Sequence, residues 1–179
     1  MTRWLLRLYG WAAERLYYEL AWAYDLVAWV VSLGRWSAWR LTALDHVVGD
    51  RVLEVGFGTG ALLIEMKRRG LAAWGLDLSP AMHRVTARKM ARHGVWTPRV
   101  CGRTQAMPYA SGSFDTIVST FPAAYIVDPG TMREVGRLLV RPGTTAHTPG
   151  GRLVIVGVCV TTESSLLRRL LRPVYGGPA

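Results

Sequence analysis

Residues 51–60, RVLEVGFGTG, decide the fold class of this 179-residue chain. The first six, residues 51–56, form a short apolar run that predicts a strand. Glycine then occupies positions 56, 58 and 60, where it lets the backbone turn sharply and lets a ligand approach the main chain closely. A strand that turns through such a loop into a helix is typical of parallel α/β sheets, where ligands bind beyond the carboxyl ends of the strands.

The rest of the chain repeats this alternation of strand and helix. Further strands are predicted at residues 72–78, 97–101, 114–120 and 152–160. Helices are predicted at residues 59–69, 80–93, 131–141 and 164–172. Ser79 and Pro80 supply an N-cap and an N1 proline, and Thr131 with Glu134 predicts a capping box. We therefore expect a doubly wound, Rossmann-like α/β fold with a mainly parallel sheet of about five strands.

The composition excludes several classes of protein. Half of the residues are apolar and 19% are charged, so a disordered chain is not expected. The longest uncharged run, residues 116–127, is shorter than the roughly 20 apolar residues of a membrane-spanning helix. No signal peptide is recognisable. Cys101 and Cys159 lie in apolar runs and predict buried thiols in a reducing cytoplasm, and no cysteine–histidine cluster predicts a metal site.

The charge of the chain is strongly basic. Its formal net charge is +10, and 20 of its 22 basic residues are arginine. Such a balance attracts phosphate groups of nucleic acid, anionic lipid or a charged substrate, or it reflects a surface of solvated arginines. The basic residues are spread along the chain, which disfavours a dedicated nucleic-acid site and leaves contact with an anionic membrane open.

The first 48 residues differ in composition from the rest and carry six of the eight tryptophans. This difference predicts an N-terminal helical segment, residues 1–48, followed by the α/β domain, residues 49–179. If residues 3–30 form one helix, four tryptophans share a face that borders a charged strip, as in helices that lie in a membrane interface. They are Trp4, Trp11, Trp22 and Trp29. Alternatively, the segment forms two helices that cover the domain as a lid.

The motifs along the α/β domain resemble those of the class I S-adenosylmethionine-dependent methyltransferases. The resemblance comprises VLEVGFGTG at 52–60, LDLSPAM at 76–82, AMPYASGSFDTIV at 106–118 and RLLVRPG at 137–143. It implies S-adenosylmethionine as the cofactor and a protein that mainly positions two reactants and excludes water.

The same resemblance assigns residues to the parts of the cofactor. Glu54 and the glycines of the loop would hold the methionine end, Asp77 the ribose, and Met82 would pack on the adenine beside Leu78. Gln105 stands where the superfamily often has an acid that binds the adenine amino group. The predicted cofactor-binding set is Glu54, Gly56, Gly58, Gly60, Asp77, Leu78, Met82 and Gln105.

Residues 24–40, YDLVAWVVSLGRWSAWR, resemble the N-terminal motif of the ubiquinone and menaquinone biosynthesis C-methyltransferases. The matching residues are Tyr24, Asp25, Ser32, Gly34, Trp39 and Arg40. The motif's asparagine and histidine fall on Ala28 and Trp36, and the GLRN element of that family is replaced by residues 120–123. The resemblance implies a small hydrophobic or lipid-like methyl acceptor, of quinol or phospholipid type.

Methylation of a quinol carbon requires a proton acceptor near the ring hydroxyl. The candidates are Asp25 and Tyr125, ranked first, followed by His83 and His147. A pocket lined by Tyr24, Phe121 and Tyr125 would favour an enzyme. Nucleic-acid substrates are disfavoured, because the segment after the fourth strand lacks the D/N-P-P-aromatic element of enzymes that methylate nucleobase amines.

The chain ends about twenty residues after its fifth predicted strand, whereas the superfamily usually has two further strands. We therefore expect the sheet to lack them, with its last strand covered by the terminal helix or by a second copy of the chain in a homodimer. The alternative function is a non-catalytic or truncated module that binds the cofactor.

Overall fold

A computed structural model describes residues 24–143 and 150–157 of the chain. The strands are β1 (Arg51–Val55), β2 (Ala72–Asp77), β3 (Arg99–Cys101), β4 (Thr116–Thr120) and β5 (Arg152–Val156). The α-helices are α1 (Tyr24–Val31), α2 (Trp36–Leu41), α3 (Ala61–Arg68), α4 (Pro80–Arg92) and α5 (Pro129–Leu138). Two 3-10 helices, Thr42–His46 and Ala124–Val127, follow α2 and β4.

The five strands form one parallel sheet in the order β3-β2-β1-β4-β5. From β1 the chain builds outward to β2 and β3, and then crosses back to β4 and β5 on the other side of β1. The switch in direction opens a crevice at the carboxyl ends of β1 and β4, where α/β proteins bind ligands. This arrangement confirms the predicted doubly wound, Rossmann-like sheet.

Both faces of the central strand β1 are buried, which explains why this strand is mostly apolar. Val52 packs with Leu62 and Met66 of α3 on one face. Leu53 lies in the cluster of the opposite face, together with Phe114 and the α5 residue Leu138. Because side chains alternate along a strand, Glu54 points to the same face as Val52, toward the side that α3 covers.

Two predictions about local structure were wrong. The capping box of Thr131 and Glu134 is absent, because α5 begins earlier, with Asp128 as the N-cap that accepts from the Thr131 N–H at 3.0 Å. Glu134 instead accepts from the Met107 N–H. Cys101 is exposed, not buried, since it ends the short strand β3 at an edge of the described sheet. The second cysteine, Cys159, lies outside the described residues.

The helices of residues 24–41 form a roof above the carboxyl ends of the strands. Ala28 and Ser32 are buried, whereas Leu26 and Val30 are exposed on the outer face of α1. The Ser32 side chain accepts from the Trp36 N–H at 2.9 Å, which joins α1 to α2. Within residues 24–143 and 150–157, no helix has the length and apolarity to cross a membrane. The predicted helix at 164–172 and Trp4, Trp11 and Trp22 lie outside the described residues.

Candidate active site

The glycine loop between β1 and α3 forms the floor of the crevice. Gly56, Gly58 and Gly60 all have positive φ, at 74°, 53° and 71°. A Cβ at Gly60 would overlap Thr86, and one at Gly56 would overlap the hydroxyl of Tyr125. No heavy atom lies within 4 Å of a Cβ built on Gly58. The open side of Gly58 is therefore the place where a ligand can approach the main chain.

Asp77 ends β2 and holds this loop in place. Its carboxylate is buried and accepts from the Gly58 N–H at 2.8 Å and from the Ser79 N–H at 2.8 Å. The loop and the turn after β2 are thereby fixed to one carboxylate. The contact of Asp77 with the ribose stays a prediction.

Glu54 lies beneath the loop with a side chain that is only 1% exposed. Burial raises the pKa of its carboxyl to about 8, against the lowering effect of the nearby Arg40 charge and the Leu63 N–H. Its Oε2 atom has no hydrogen-bond partner among the described residues. A buried acceptor without a donor is costly, and a positively charged donor such as an ammonium group would satisfy it.

Arg40 supplies the opposite charge on the roof side. Its Nε atom is buried and has no hydrogen-bond partner in the described ranges. It borders a cavity of about 260 Å³ between the roof and the amino end of α3. The cavity is lined by Asp25, Trp29, Trp36, Ser37, Arg40, Ala61 and Lys89.

The acid and the guanidinium each keep one buried atom without a hydrogen-bond partner among the described residues, and their charges influence each other. Such a pair is complementary to a zwitterion. The amino-acid end of S-adenosylmethionine has one ammonium and one carboxylate, so the residues present fit this part of the cofactor. Sequence reasoning did not select Arg40 as a site residue, although its match to the N-terminal motif was a signal.

The two residues proposed for proton transfer lie on opposite sides of the glycine loop. Asp25 on α1 accepts from the Thr59 hydroxyl at 2.7 Å and pairs with the Lys89 ammonium. Tyr125 places its hydroxyl 3.2 Å from the Val55 carbonyl, to which it donates, and 3.0 Å from Ser119 Oγ. Both are thus brought to the site.

The three residues predicted to contact the adenine, Leu78, Met82 and Gln105, differ from one another in burial and in their partners. Leu78 is half exposed directly after Asp77, whereas Met82 is fully buried beside Ala81. Gln105 hydrogen-bonds Asp128 at the start of α5. The roles of these three residues stay predictions.

Among the other candidates, His83 lies edge-on to the Phe57 ring at 4.7 Å between ring centroids. His147 and the Tyr24 side chain lie outside the described part of the structure. In the ranges that the structure describes, no group of three or more histidine, cysteine or acidic residues converges as a metal site.

An aromatic pair closes the β4 side of the crevice. Trp36 stacks on Phe121, with ring centroids 3.9 Å apart and an interplanar angle of 26°. Phe121 has φ of 50°, an uncommon left-handed conformation for a residue with a side chain, and its N–H donates to the Val156 carbonyl at 2.7 Å. Strained residues of this kind often lie at functional sites.

Comparisons with known proteins agree with this geometry. Residues 52–143 match the family described as methyltransferase domain. The demethylmenaquinone methyltransferase of Tropheryma whipplei (strain Twist) is 32% identical over 166 residues, which cover 90% of this chain and 63% of that protein. That of Thermus thermophilus is 29% identical over 147 residues, covering 79% and 63%. The chain thus spans less than two thirds of the length of these curated relatives.

Solved structures show the same architecture. The geranyl diphosphate C-methyltransferase of Streptomyces coelicolor A3(2), in complex with Mg²⁺, geranyl diphosphate and S-adenosyl-L-homocysteine, superposes with a TM-score of 0.60. The match covers 75% of this chain and 52% of that one at 19% identity, so it demonstrates the shared fold. The chain therefore belongs to the methyltransferase domain family and has the fold of the class I S-adenosylmethionine-dependent methyltransferases.

Proposed function

We propose that this protein binds S-adenosylmethionine and transfers its methyl group to a small hydrophobic or lipid-like acceptor. The observation that carries the proposal is the pair of buried, unsatisfied atoms, Glu54 Oε2 and Arg40 Nε, beside a glycine loop whose open side is at Gly58. The family membership supports the same cofactor.

Each residue has a defined task in this proposal. Glu54 accepts from the ammonium of the cofactor, and Arg40 binds its carboxylate. The main chain at Gly58 lies along the cofactor, while Asp77 accepts from the ribose hydroxyls. Leu78, Met82 and Gln105 are proposed for the adenine end. When bound, the cofactor supplies an electrophilic methyl group on a sulfonium, which the acceptor displaces in line.

The protein contributes positioning and exclusion of water. The roof helices cover part of the cavity, and Trp36, which lines it, stacks on Phe121 after β4. We place Tyr125 next to the hydroxyl group of the methyl acceptor. Its phenol oxygen lies against Gly56, and its O–H donates to the Val55 carbonyl. It would hold or pass on the proton of that hydroxyl.

We favour a quinol-type acceptor over a phospholipid, because the similar curated proteins are named demethylmenaquinone methyltransferases. The outer face of α1 supports peripheral contact with an anionic membrane, where such acceptors reside. Leu26 and Val30 are exposed there, Leu33 is exposed just after the helix, and the chain carries a net charge of +10. Apolar side chains together with excess positive charge favour binding to anionic lipid surfaces.

The test of cofactor binding is a calorimetric titration of the purified protein with S-adenosylmethionine. We expect micromolar binding that falls at least about 100-fold in Asp77→Ala, because two hydrogen bonds to a charged group and the ribose acceptor are lost. Asp115→Ala is the matched control. Asp115 pairs with Arg51 at the opposite, amino end of the sheet, so its loss should leave binding intact.

Absence of binding by the folded wild-type protein would contradict the proposal. A methyl-transfer assay with demethylmenaquinol then separates the enzyme from the alternative, a module that binds the cofactor without catalysis. The methyl-transfer assay is needed because the match covers 63% of the length of the Tropheryma whipplei relative.

A further inference from the structure

We propose that Asp25 is a positioning residue, which latches the roof over the glycine loop and thereby controls the exchange of the cofactor. The latch consists of Asp25 on α1, Thr59 in the loop and Lys89 on α4. Its effect on cofactor exchange rests on the proposed function, whereas its effect on the motion of α1 does not.

The contacts of Asp25 join three separate elements. One carboxylate oxygen accepts from the Thr59 hydroxyl at 2.7 Å, and the other pairs with the Lys89 ammonium. Thr59 is buried between Gly58 and Gly60. Both oxygens of Asp25 thus bind groups of the protein itself, which is the basis for assigning it a positioning role through the loop and α4.

The latch faces a second anchor across the cavity. Trp36, in the next helix of the roof, stacks on Phe121 after β4. Asp25 and Trp36 both line the cavity, and Ala61 at the start of α3 lines it as well. A ligand bound there lies between the two anchors, and release of either anchor would widen the opening through which the ligand exchanges.

The latch is the anchor that opens more easily. The side chains of Asp25 and Lys89 are 39% and 27% exposed, so water and salt weaken their attraction. The stacked ring pair has no charge for salt to screen. Leu26 and Val30, on the outer face of α1, are largely exposed, so an outward swing of the helix removes little of their apolar surface from contact.

Hydrogen exchange of the cofactor-free protein tests the latch directly. Asp25→Asn keeps the shape and an acceptor for Thr59 but removes the ion pair. We expect exchange of the amides at residues 28–36 to accelerate about fivefold, the effect of losing a partly exposed ion pair, with β1 and β4 unchanged. Asp45→Asn, which removes an exposed carboxylate from the neighbouring 3-10 helix, is the matched control.

Unchanged exchange in α1, or equal acceleration throughout the sheet, would overturn the latch. This readout needs no ligand, so it decides the latch even if the protein fails to bind S-adenosylmethionine. Such a failure would overturn the proposed function alone.

The rate of S-adenosyl-L-homocysteine release, followed by tryptophan fluorescence, tests the role in exchange. Asp25→Asn and Lys89→Met should each release the ligand about fivefold faster, and the double variant no faster than either, because they break one interaction. High salt should accelerate release from the wild type and not from Lys89→Met. Lys67→Met on α3 should resemble the wild type. An unchanged release rate in both latch variants would overturn the role in exchange.

Discussion

The floor of the crevice and its roof are held by different forces. The floor, residues 54–60 with Asp77, is fixed by buried groups, main-chain hydrogen bonds and glycines with positive φ. The roof, residues 24–41, is anchored to the sheet domain by the carboxylate of Asp25 and the ring of Trp36. The floor is therefore formed before any ligand arrives, whereas the proposed latch would let the roof open.

The acidic residues of the floor and of the roof differ in the fraction of their surface that is exposed. Glu54 and Asp77 are each 1% exposed, but the side chain of Asp25 is 39% exposed. Changes in the floor should therefore lower both the free energy of unfolding and cofactor affinity. Changes in the roof should act mainly on the rates of opening and on ligand exchange.

Two glycines of the floor give the largest expected effect on stability. In Gly60→Ala, the left-handed backbone and the overlap with Thr86 should lower the free energy of unfolding by about 3 kcal/mol. Gly58→Ala has the strained backbone but open space, and should lose about 1–2 kcal/mol. Denaturant unfolding measures both, and equal losses would show that Thr86 yields to the new methyl group.

Cofactor affinity gives a second comparison for the glycine variants, in which Gly58→Ala should show a loss of binding. The methyl group of Gly58→Ala would occupy the space that we assign to the cofactor, so affinity should fall at least about tenfold, as expected for overpacking of a fitted site. Retention of wild-type affinity in this variant would place the cofactor elsewhere in the crevice.

Cofactor affinity should depend on pH through the ionisation of Glu54 in the floor. Glu54 has a pKa of about 8 in the ligand-free protein, raised by burial from 4.5. Because an ammonium group needs the ionised carboxylate, cofactor affinity should rise up to about tenfold per pH unit between pH 6 and 8. Calorimetric titrations at pH 6, 7 and 8 test this increase in affinity. Glu54→Gln should bind the cofactor more weakly, and its affinity should not rise with pH. A wild-type affinity that is constant with pH would contradict the pairing.

Stability should change in the opposite direction with pH. Between about pH 4.5 and 8 the folded protein keeps a proton on Glu54 that the unfolded chain has released. The contribution of this group to stability is therefore fully present below pH 4.5 and is lost as the pH rises through 8. Unfolding of the ligand-free protein at several pH values, with Glu54→Gln as the control, measures this loss.

The aromatic anchor of the roof should give the smallest effect. Trp36→Leu loses a stacked ring pair and should lower the free energy of unfolding by about 1 kcal/mol. Phe121→Gly loses the same pair but relieves the left-handed backbone, so its loss should be smaller. If Phe121→Gly is the more damaging variant in denaturant unfolding, the backbone at this position is not strained.

Sequence reasoning was most successful where a feature depends on neighbouring residues. The strand before the glycine loop, the three glycines and the Ser79 cap follow from local patterns, and the structure contains all of them. The start of α5 was misplaced because two capping signals, at Asp128 and at Thr131, compete within four residues. Cys101 was misjudged because an apolar run does not show whether its strand lies in the middle or at the edge of a sheet.

Local patterns in the sequence specify the parallel α/β fold, the glycine loop and the acidic residues of β1 and β2, because strand periodicity and backbone turns are local properties. Only the tertiary structure brought Asp25 to Thr59 and Lys89, and Arg40 near Glu54. The reason is physical: Asp25 lies 34 and 64 residues from its two partners along the chain. Contacts over such distances depend on how the helices pack on the sheet, which no local pattern specifies.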